Sequence, residues 1–133
     1  MTNKKPAILK SQHFLVKNDI YPFDILVSVN ETAEKVKRTL KRFQIKPEDC
    51  DFIKEFTTQK AATYRLPANQ VVIRFKTVPN KHEFMAIVAH EALHATSFIL
   101  NKVGIPFDQE NSEEAYTYLM QHICYVIYQK TIK

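Results

Sequence analysis

The residues with the clearest chemical meaning are His90, Glu91 and His94, in the run His90-Glu91-Ala92-Leu93-His94. In a helix, side chains at positions i and i+4 lie on one face, with Cβ atoms about 5–6 Å apart. Two imidazoles at that spacing can both reach one Zn²⁺, at about 2.0–2.1 Å per nitrogen. Glu91 then falls beside the histidines, close enough to act as a general base on a zinc-bound water without being a ligand. Ala92 and Leu93 are expected to point away, toward the surface on which the helix packs.

The same pentapeptide also has a purely structural interpretation. Two histidines four residues apart on an amphipathic helix are often ordinary surface or core residues that bind no metal. The sequence around the motif therefore has to supply further reasons for a metal site.

The segment that carries the motif has the start and stop signals of a long helix. Asn80, with Glu83 three residues later, predicts an N-cap box. Gly104 can supply the left-handed conformation that follows a helix ending near Val103. Apolar residues recur at helical spacing between these limits: Phe84, Ile87, Val88, Ala95, Phe98 and Ile99.

The preceding residues predict strands and one basic helix. Strict alternation from Phe23 to Val29 predicts a strand, and Asn30 is expected to cap a helix that runs to about Gln44. Two further strands are predicted at Ala61–Leu66 and Gln70–Thr77, whereas residues 1–20 are mixed and predict a short helix or an arm.

Two other helical segments complete the chain. Pro47-Glu48-Asp49 opens a short turn or helix through about Phe56. A last helix is expected from about Asn111 to Lys130, with Leu119, Ile123, Val126 and Ile127 as its core stripe. Because the strands precede two long helices, the order predicts one α+β domain over residues 1–133. About three strands would pack on the motif helix and the C-terminal helix.

A third metal ligand is expected, because a catalytic zinc usually has three protein ligands and an open position. Glu114 opens the final helix, and the loop containing Gly104 is long enough to fold that helix back against the motif. Glu113 is the alternative ligand, one residue earlier and about 100° around the helix. With Asn111 as N-cap, Glu114 would also occupy the N3 position, where a capping-box glutamate has a structural role alone.

The motif, followed by Asn111-Ser112-Glu113-Glu114-Ala115-Tyr116-Thr117-Tyr118, resembles the gluzincin zinc metallopeptidases. It is most similar to small zinc-peptidase-like proteins of phages and other bacterial mobile elements, in which a strand pair precedes the motif helix. The specific part of the resemblance covers about Gln70 to His122. It implies a small zincin-like fold and a Zn²⁺ cofactor held by His90, His94 and Glu114, with Glu91 as the general base.

One position departs from the family pattern. Thermolysin-like members have a carboxylate four residues after the ligand glutamate, where it hydrogen-bonds a ligand histidine; here that residue is Tyr118. Tyr116, Tyr118 and His122 are candidates for supporting a ligand or stabilising an oxyanion. An ordinary helix-surface role is the alternative for His122.

The resemblance implies a zinc-dependent hydrolase, a peptidase. It also implies that Gln70–Thr77 is an edge strand whose free backbone groups pair with an extended peptide substrate. The alternative is a zinc-binding module without useful activity that acts through a protein partner, which Tyr118 and the small size favour. A nucleic-acid partner is a third interpretation, based on a basic helix face but on no aromatic interleaving. A deformylase-like amidase would need an upstream cysteine ligand, for which Cys50 is the only candidate.

Composition sets the remaining limits. The net charge is +5, and much of it lies on the outer face of the predicted basic helix, at Lys35, Lys37, Arg38, Lys41 and Arg42. The single glycine, Gly104, excludes Gly-rich phosphate loops. Cys50 and Cys124 lack Cys-x-x-Cys spacing, and neither a secretory signal nor a membrane span is recognised, so we expect reduced thiols and a cytoplasmic location.

Overall fold

The computed structural model describes residues 10–76, 78 and 80–132 of the chain. In this part of the chain, one mixed sheet of four strands is covered by helices on both faces. The strands are β1 (Gln12–Val16), β2 (Asp24–Val29), β3 (Ala61–Leu66) and β4 (Gln70–Phe75), and the helices are α1 (Ala33–Arg42), α2 (Pro47–Cys50), α3 (Lys81–Lys102) and α4 (Glu113–Thr131).

The two central strands are the most hydrophobic ones. The strand order is β1-β2-β4-β3, with β2 and β4 parallel and both outer pairs antiparallel. Every residue of β4 is buried, and so is every residue of β2 after Asp24. A nearly continuous apolar run is typical of a strand that is covered on both faces of its sheet.

Alternate side chains of the central strands enter two separate cores. One core lies under α3 and α4 and includes Val27 and Ile73 of the sheet with Val88 and Ile123 of the helices. The other lies under α1 and α2 and is built around the strand residues Leu26 and Val72, the helix residues Val36 and Leu40, and Cys50. The predicted α+β class is therefore confirmed, with α3 and α4 packed on the same face of the sheet.

The sheet has a fourth strand that the sequence did not predict. Residues 12–16 pair with β2 as the antiparallel edge strand β1, where a short helix or an arm was expected. The segment is only five residues long, and Phe14 and Leu15 are both half-buried, so it lacks clear alternation. Its strand conformation depends on pairing with β2, and the local sequence pattern gives no information about that long-range contact.

The prediction that Gln70–Thr77 is a free edge strand is wrong. Its described residues form β4, which is bonded to β2 on one side and to β3 on the other; Thr77 lies outside the described residues. Because both rows of backbone N–H and C=O groups are already paired, β4 cannot accept an additional strand. The edge next to it is β3.

Two of the predicted helix caps are also wrong. Asn30 has a φ of 54°, which is left-handed, whereas an N-cap residue needs an extended backbone. Thr32 caps α1 instead, accepting from the backbone N–H of Lys35 at 3.2 Å. Helix α4 begins at Glu113, so its N-cap is Ser112 rather than Asn111, whose side-chain amide donates to Asp108 at 3.1 Å.

Other boundaries agree more closely with the sequence. Asn80 accepts from the N–H groups of His82 and Glu83 at the start of α3, and Gly104 follows the end of that helix with a φ of 84°. The Glu83 carboxylate pairs with Lys60. Helix α1 ends at Arg42 rather than Gln44, and α2 stops at Cys50 well before Phe56.

The basic face of α1 is confirmed. Val36 and Leu40 are buried under the helix, and the cationic side chains lie on its outer side. No helix in the described ranges combines the length and apolar character needed to cross a bilayer.

A buried carboxylate ties β1 to β2 and α1. The side chain of Glu31 is 1% exposed; its Oε1 accepts from Ser28 at 2.7 Å and its Oε2 lies 2.9 Å from Nδ1 of His13. Lys35 approaches the same carboxylate at 3.4 Å. Burial alone would raise the pKa of Glu31, but these hydrogen bonds and the charges of His13 and Lys35 outweigh it and hold the pKa below its ordinary value.

Replacing Glu31 with glutamine should lower the free energy of unfolding by about 2 kcal/mol at pH 7, because charge-assisted hydrogen bonds are lost. Since the folded pKa of Glu31 lies below the ordinary value of 4.5, its contribution is present above pH 4.5 and is lost as the pH falls through the folded pKa. Urea denaturation should therefore show a difference between wild type and Glu31→Gln that shrinks in acid. Glu48→Gln, at an exposed glutamate, should match wild type at both pH values; an E31Q difference that does not change with pH would contradict the assignment.

Candidate metal centre

Helix α3 turns one side of the motif outward and buries the other. His90 and His94 are exposed, whereas Glu91 and Ala92 are buried against the sheet side of the helix. Leu93, which was expected to face the core, is 49% exposed. The reason is helical geometry. Because Leu93 follows His90 by three residues, it lies only about 60° from His90 around the helix, on the exposed face.

The two imidazoles meet as a metal site requires. Their Nε2 atoms lie 3.2 Å apart, and the rings are inclined by 72° with centroids 4.9 Å apart. An ion about 2.05 Å from each nitrogen would subtend roughly 103° between them, close to the tetrahedral value of about 109°. The separation of the two nitrogens is thus compatible with a shared metal ion, and it also allows one ring to donate a hydrogen bond to the other.

Glu91 is held between the histidines and the sheet. Its side chain is 8% exposed, and its Oε1 accepts from the Thr63 hydroxyl of β3 at 2.9 Å. That hydroxyl also lies 3.3 Å from the backbone carbonyl oxygen of Glu91. A buried carboxylate needs such a donor, because leaving it unpaired would cost several kcal/mol or more. Thr63 therefore fixes Oε1 and leaves Oε2 available for other chemistry.

The second carboxylate oxygen of Glu91 faces the histidines. Oε2 lies 3.9 Å from Nε2 of His90, and one ligand atom from each of His90, Glu91 and His94 lies within 4.8 Å of the others. These distances are too long for a direct strong hydrogen bond but leave room for one water between the carboxylate and the imidazoles. The arrangement suits a base beside two metal ligands.

A row of stacked side chains continues from His94. Phe98 lies one turn further along α3, with its ring centroid 6.4 Å from that of His94 and inclined by 26°. The guanidinium carbon of Arg65, on β3, lies 5.5 Å from the Phe98 centroid. Strand β3 thus contacts the site at two points, through Thr63 and through Arg65.

The outer side of β3 is a free sheet edge among the described residues. The ladder with β4 continues through the bond from the Lys76 N–H to the Lys60 carbonyl, at 2.8 Å. Hydrogen-bonded and non-hydrogen-bonded pairs alternate in an antiparallel ladder, so Ala61, Thr63 and Arg65 direct their backbone groups away from β4. The residues that face α3 are therefore also the ones with unpaired backbone groups.

A cavity of about 530 Å³ opens beside the motif, between α3 and the start of β3. His90 and Glu91 form one end of it, and Ala86 and Ile87 provide an apolar wall. The Lys60–Glu83 ion pair lies at its rim. The site is thus open to solvent and adjoins a space that can hold a side chain.

The carboxylates predicted as third ligands lie outside the cluster of His90, Glu91 and His94. Glu114 and Glu113 are both exposed in the first turn of α4. Because Asn111 does not cap this helix, the structural explanation of Glu114 as a capping-box residue no longer applies. Glu114 stays the predicted third ligand and Glu113 the alternative.

The remaining residues that the sequence suggested for the site contact other parts of the chain. The Tyr116 hydroxyl donates to the Ile105 carbonyl at 2.8 Å, and Nε2 of His122 lies 2.6 Å from the Lys17 carbonyl. Tyr118, 67% exposed, lines a cavity with His122 and the β1–β2 connection. Cys50 lies in the core on the opposite face of the sheet, where burial raises the pKa of its thiol, so it is no ligand for this site.

Sequence analysis missed Thr63 and Arg65. Threonine and arginine in a strand carry no local sign of a site, and only the packing of β3 beside α3 brings them to the motif. The alternation of Ala61, Thr63 and Arg65 on one face was readable, but the face of the sheet that α3 covers was not.

Comparisons of the chain with protein-family models, with curated proteins and with solved structures found no match.

Purified protein should bind one Zn²⁺. His90→Ala and His94→Ala should each abolish zinc binding, because either variant leaves only one of the two histidine ligands. Elemental analysis after dialysis measures this directly. His82→Ala is the matched control, since His82 is an exposed histidine on the same helix. Zinc retained by both motif variants, or lost equally from His82→Ala, would contradict the site.

Glu114→Gln should weaken zinc binding, whereas Glu113→Gln should leave it unchanged, because a neutral amide is a poorer ligand than a carboxylate. Competition titration with a chromophoric chelator gives both affinities. Both glutamates are exposed, so either substitution should change the free energy of unfolding only slightly. The reverse ranking would make Glu113 the ligand, and no effect of either would remove both carboxylates from the site.

Proposed function

We propose that this protein is a zinc-dependent hydrolase that cleaves peptides. The observation that carries the proposal is the meeting of two imidazole Nε2 atoms, 3.2 Å apart, with a buried carboxylate held by Thr63. Two metal ligands with a fixed base beside them are three of the four side chains that a zinc site with three protein ligands uses for hydrolysis. Gluzincin-type metallopeptidases use this set, and Glu114 would complete it.

His90, His94 and Glu114 would hold the metal. When bound there, Zn²⁺ would polarise the scissile carbonyl and acidify the attacking water. Glu91 takes the proton from that water on Oε2, while Thr63 holds Oε1 and so keeps the carboxylate in one orientation. Glu91 then passes the proton to the leaving amine.

The substrate is expected to lie along β3, in place of the strand first predicted. The outward backbone groups of Ala61, Thr63 and Arg65 can pair with an extended peptide. Thr63 is within hydrogen-bonding distance of Glu91, so a peptide on this edge runs past the base. The cavity next to His90 could receive one of its side chains.

A second candidate function is a zinc-binding module with weak or no turnover that acts through a protein partner. It is favoured by the position of Glu114 outside the cluster and by Tyr118, which lines a cavity with His122 and lacks the carboxylate expected at its position. Such a protein would bind zinc and peptides without cleaving them.

Glu91→Gln should retain zinc and lower peptide cleavage about 10²- to 10⁴-fold, because the amide cannot accept the proton. The assay is mass spectrometry of a random peptide mixture incubated with zinc-loaded protein. His82→Ala is expected to cleave like wild type. Zinc-loaded wild type that cleaves nothing would favour the binding module, and equal cleavage by wild type and Glu91→Gln would rule out Glu91 as the base.

A further inference from the structure

Arg65 is a cation beside the proposed metal centre, and among the described residues no acid forms a salt bridge with it. Its side chain is exposed, at the edge of the sheet, and contacts Phe98, the residue stacked on His94. The salt bridges found among the described residues join other groups. Most exposed cations in the described part of this basic chain are likewise unpaired, but this guanidinium lies next to the proposed substrate path, where it can pair with a negatively charged group of the substrate.

We propose that Arg65 binds a carboxylate side chain of the peptide, so that the protein selects substrates with aspartate or glutamate at a fixed distance from the bond that is cleaved. This inference rests on the proposed function, because it assumes that a peptide lies along β3. It names the class of substrate, which the metal centre alone does not.

The spacing of β3 sets the position of the acidic residue. Thr63 and Arg65 are two residues apart on the same face of the strand, about 6.6–6.8 Å along it. A peptide strand paired with β3 has the same repeat. Its residue opposite Arg65 therefore lies two positions from the residue opposite Thr63, which is the one next to Glu91.

Phe98 contacts the Arg65 guanidinium and helps to position it for this interaction. The 5.5 Å separation of the guanidinium carbon from the ring centroid allows a cation–π interaction, which favours this position of the side chain. An arginine has five N–H donors in a planar fork that matches a carboxylate in two parallel hydrogen bonds. Lysine in the same place could offer only a point charge.

The other end of β3 does not compete for an acid. Lys60, next to Ala61, is paired with Glu83, so its charge is already compensated. Lys60 is therefore the matched control for Arg65: a cation on the same edge segment, at the opposite end of the site.

The test measures peptide binding rather than turnover. Glu91→Gln protein is titrated with fluorescein-labelled ten-residue peptides of alanine, threonine and valine, in which a single glutamate is moved from position to position. The same series with glutamine is the reference, and fluorescence anisotropy gives the affinities with and without added zinc.

We expect glutamate at one position, or at two positions related by the strand repeat, to bind about three- to fivefold more tightly than glutamine, the range of an exposed ion pair. Adding Arg65→Gln should abolish that preference, Arg65→Lys should retain part of it, and Lys60→Gln should leave it intact. High salt should weaken it.

A preference that survives Arg65→Gln, or no binding and no preference in any peptide, would overturn the inference. A loss of affinity for glutamate and glutamine peptides alike would also overturn it, because Arg65 would then act on the backbone or the fold. The proposed function fails separately: zinc-loaded wild type that shows the Arg65-dependent preference but cleaves no peptide would refute hydrolysis and leave the recognition of acidic peptides standing.

Discussion

The hydrogen bond from Thr63 to Glu91 joins the sheet to the candidate metal centre. A carboxylate that is 8% exposed must have a donor, and the only one that reaches Oε1 in the described residues comes from β3. The bond agrees with the rotation of α3 that its apolar face sets. With Glu91 turned to the strand, Ala92 and Ala95 enter the core and His90 and His94 are left on the open side. The exposure of the proposed metal ligands and the burial of the proposed base thus follow from one orientation of the helix.

The proposed peptide path, unlike this contact, requires β3 to be an edge strand. If β3 were interior, Thr63 would still reach Glu91, but no backbone groups would remain beside the site. The chain achieves the edge position by pairing β4 in parallel with β2, which places β3 last in the sheet. At the other edge, Glu31 holds β1 to the sheet through His13 and Ser28. Glu31 and Glu91 thus have buried carboxylates at opposite edges of the sheet. Each accepts hydrogen bonds from side chains of neighbouring elements.

Much of the fold could be predicted because its signals are local. Asn80 and Gly104 marked the limits of α3, the alternation of apolar residues marked β2 and β4, and the interleaved Val36 and Leu40 marked α1. The i and i+4 spacing of His90 and His94 was enough to place both rings on one face, and the structure confirms that their nitrogens meet.

What could not be predicted depends on contacts between distant parts of the chain. Strand β1 forms only because β2 is there to pair with it, and β4 is interior only because β2 pairs with it in parallel. Leu93 is exposed because of how the helix is rotated on the sheet, and Thr63 and Arg65 gain their importance from the same packing. The third ligand belongs to this group too, since the place of Glu114 relative to His94 is set by a loop and not by a repeat.

One metal ion is proposed to bind between His90 and His94. Crystals of zinc-loaded protein, measured on both sides of the zinc absorption edge, would locate it. We expect a single strong anomalous peak about 2.0–2.1 Å from the Nε2 atoms of both histidines, with Oε2 of Glu91 facing it across one water. A peak at any other histidine or carboxylate, or an intact Nε2 to Nε2 hydrogen bond in zinc-saturated crystals, would contradict it.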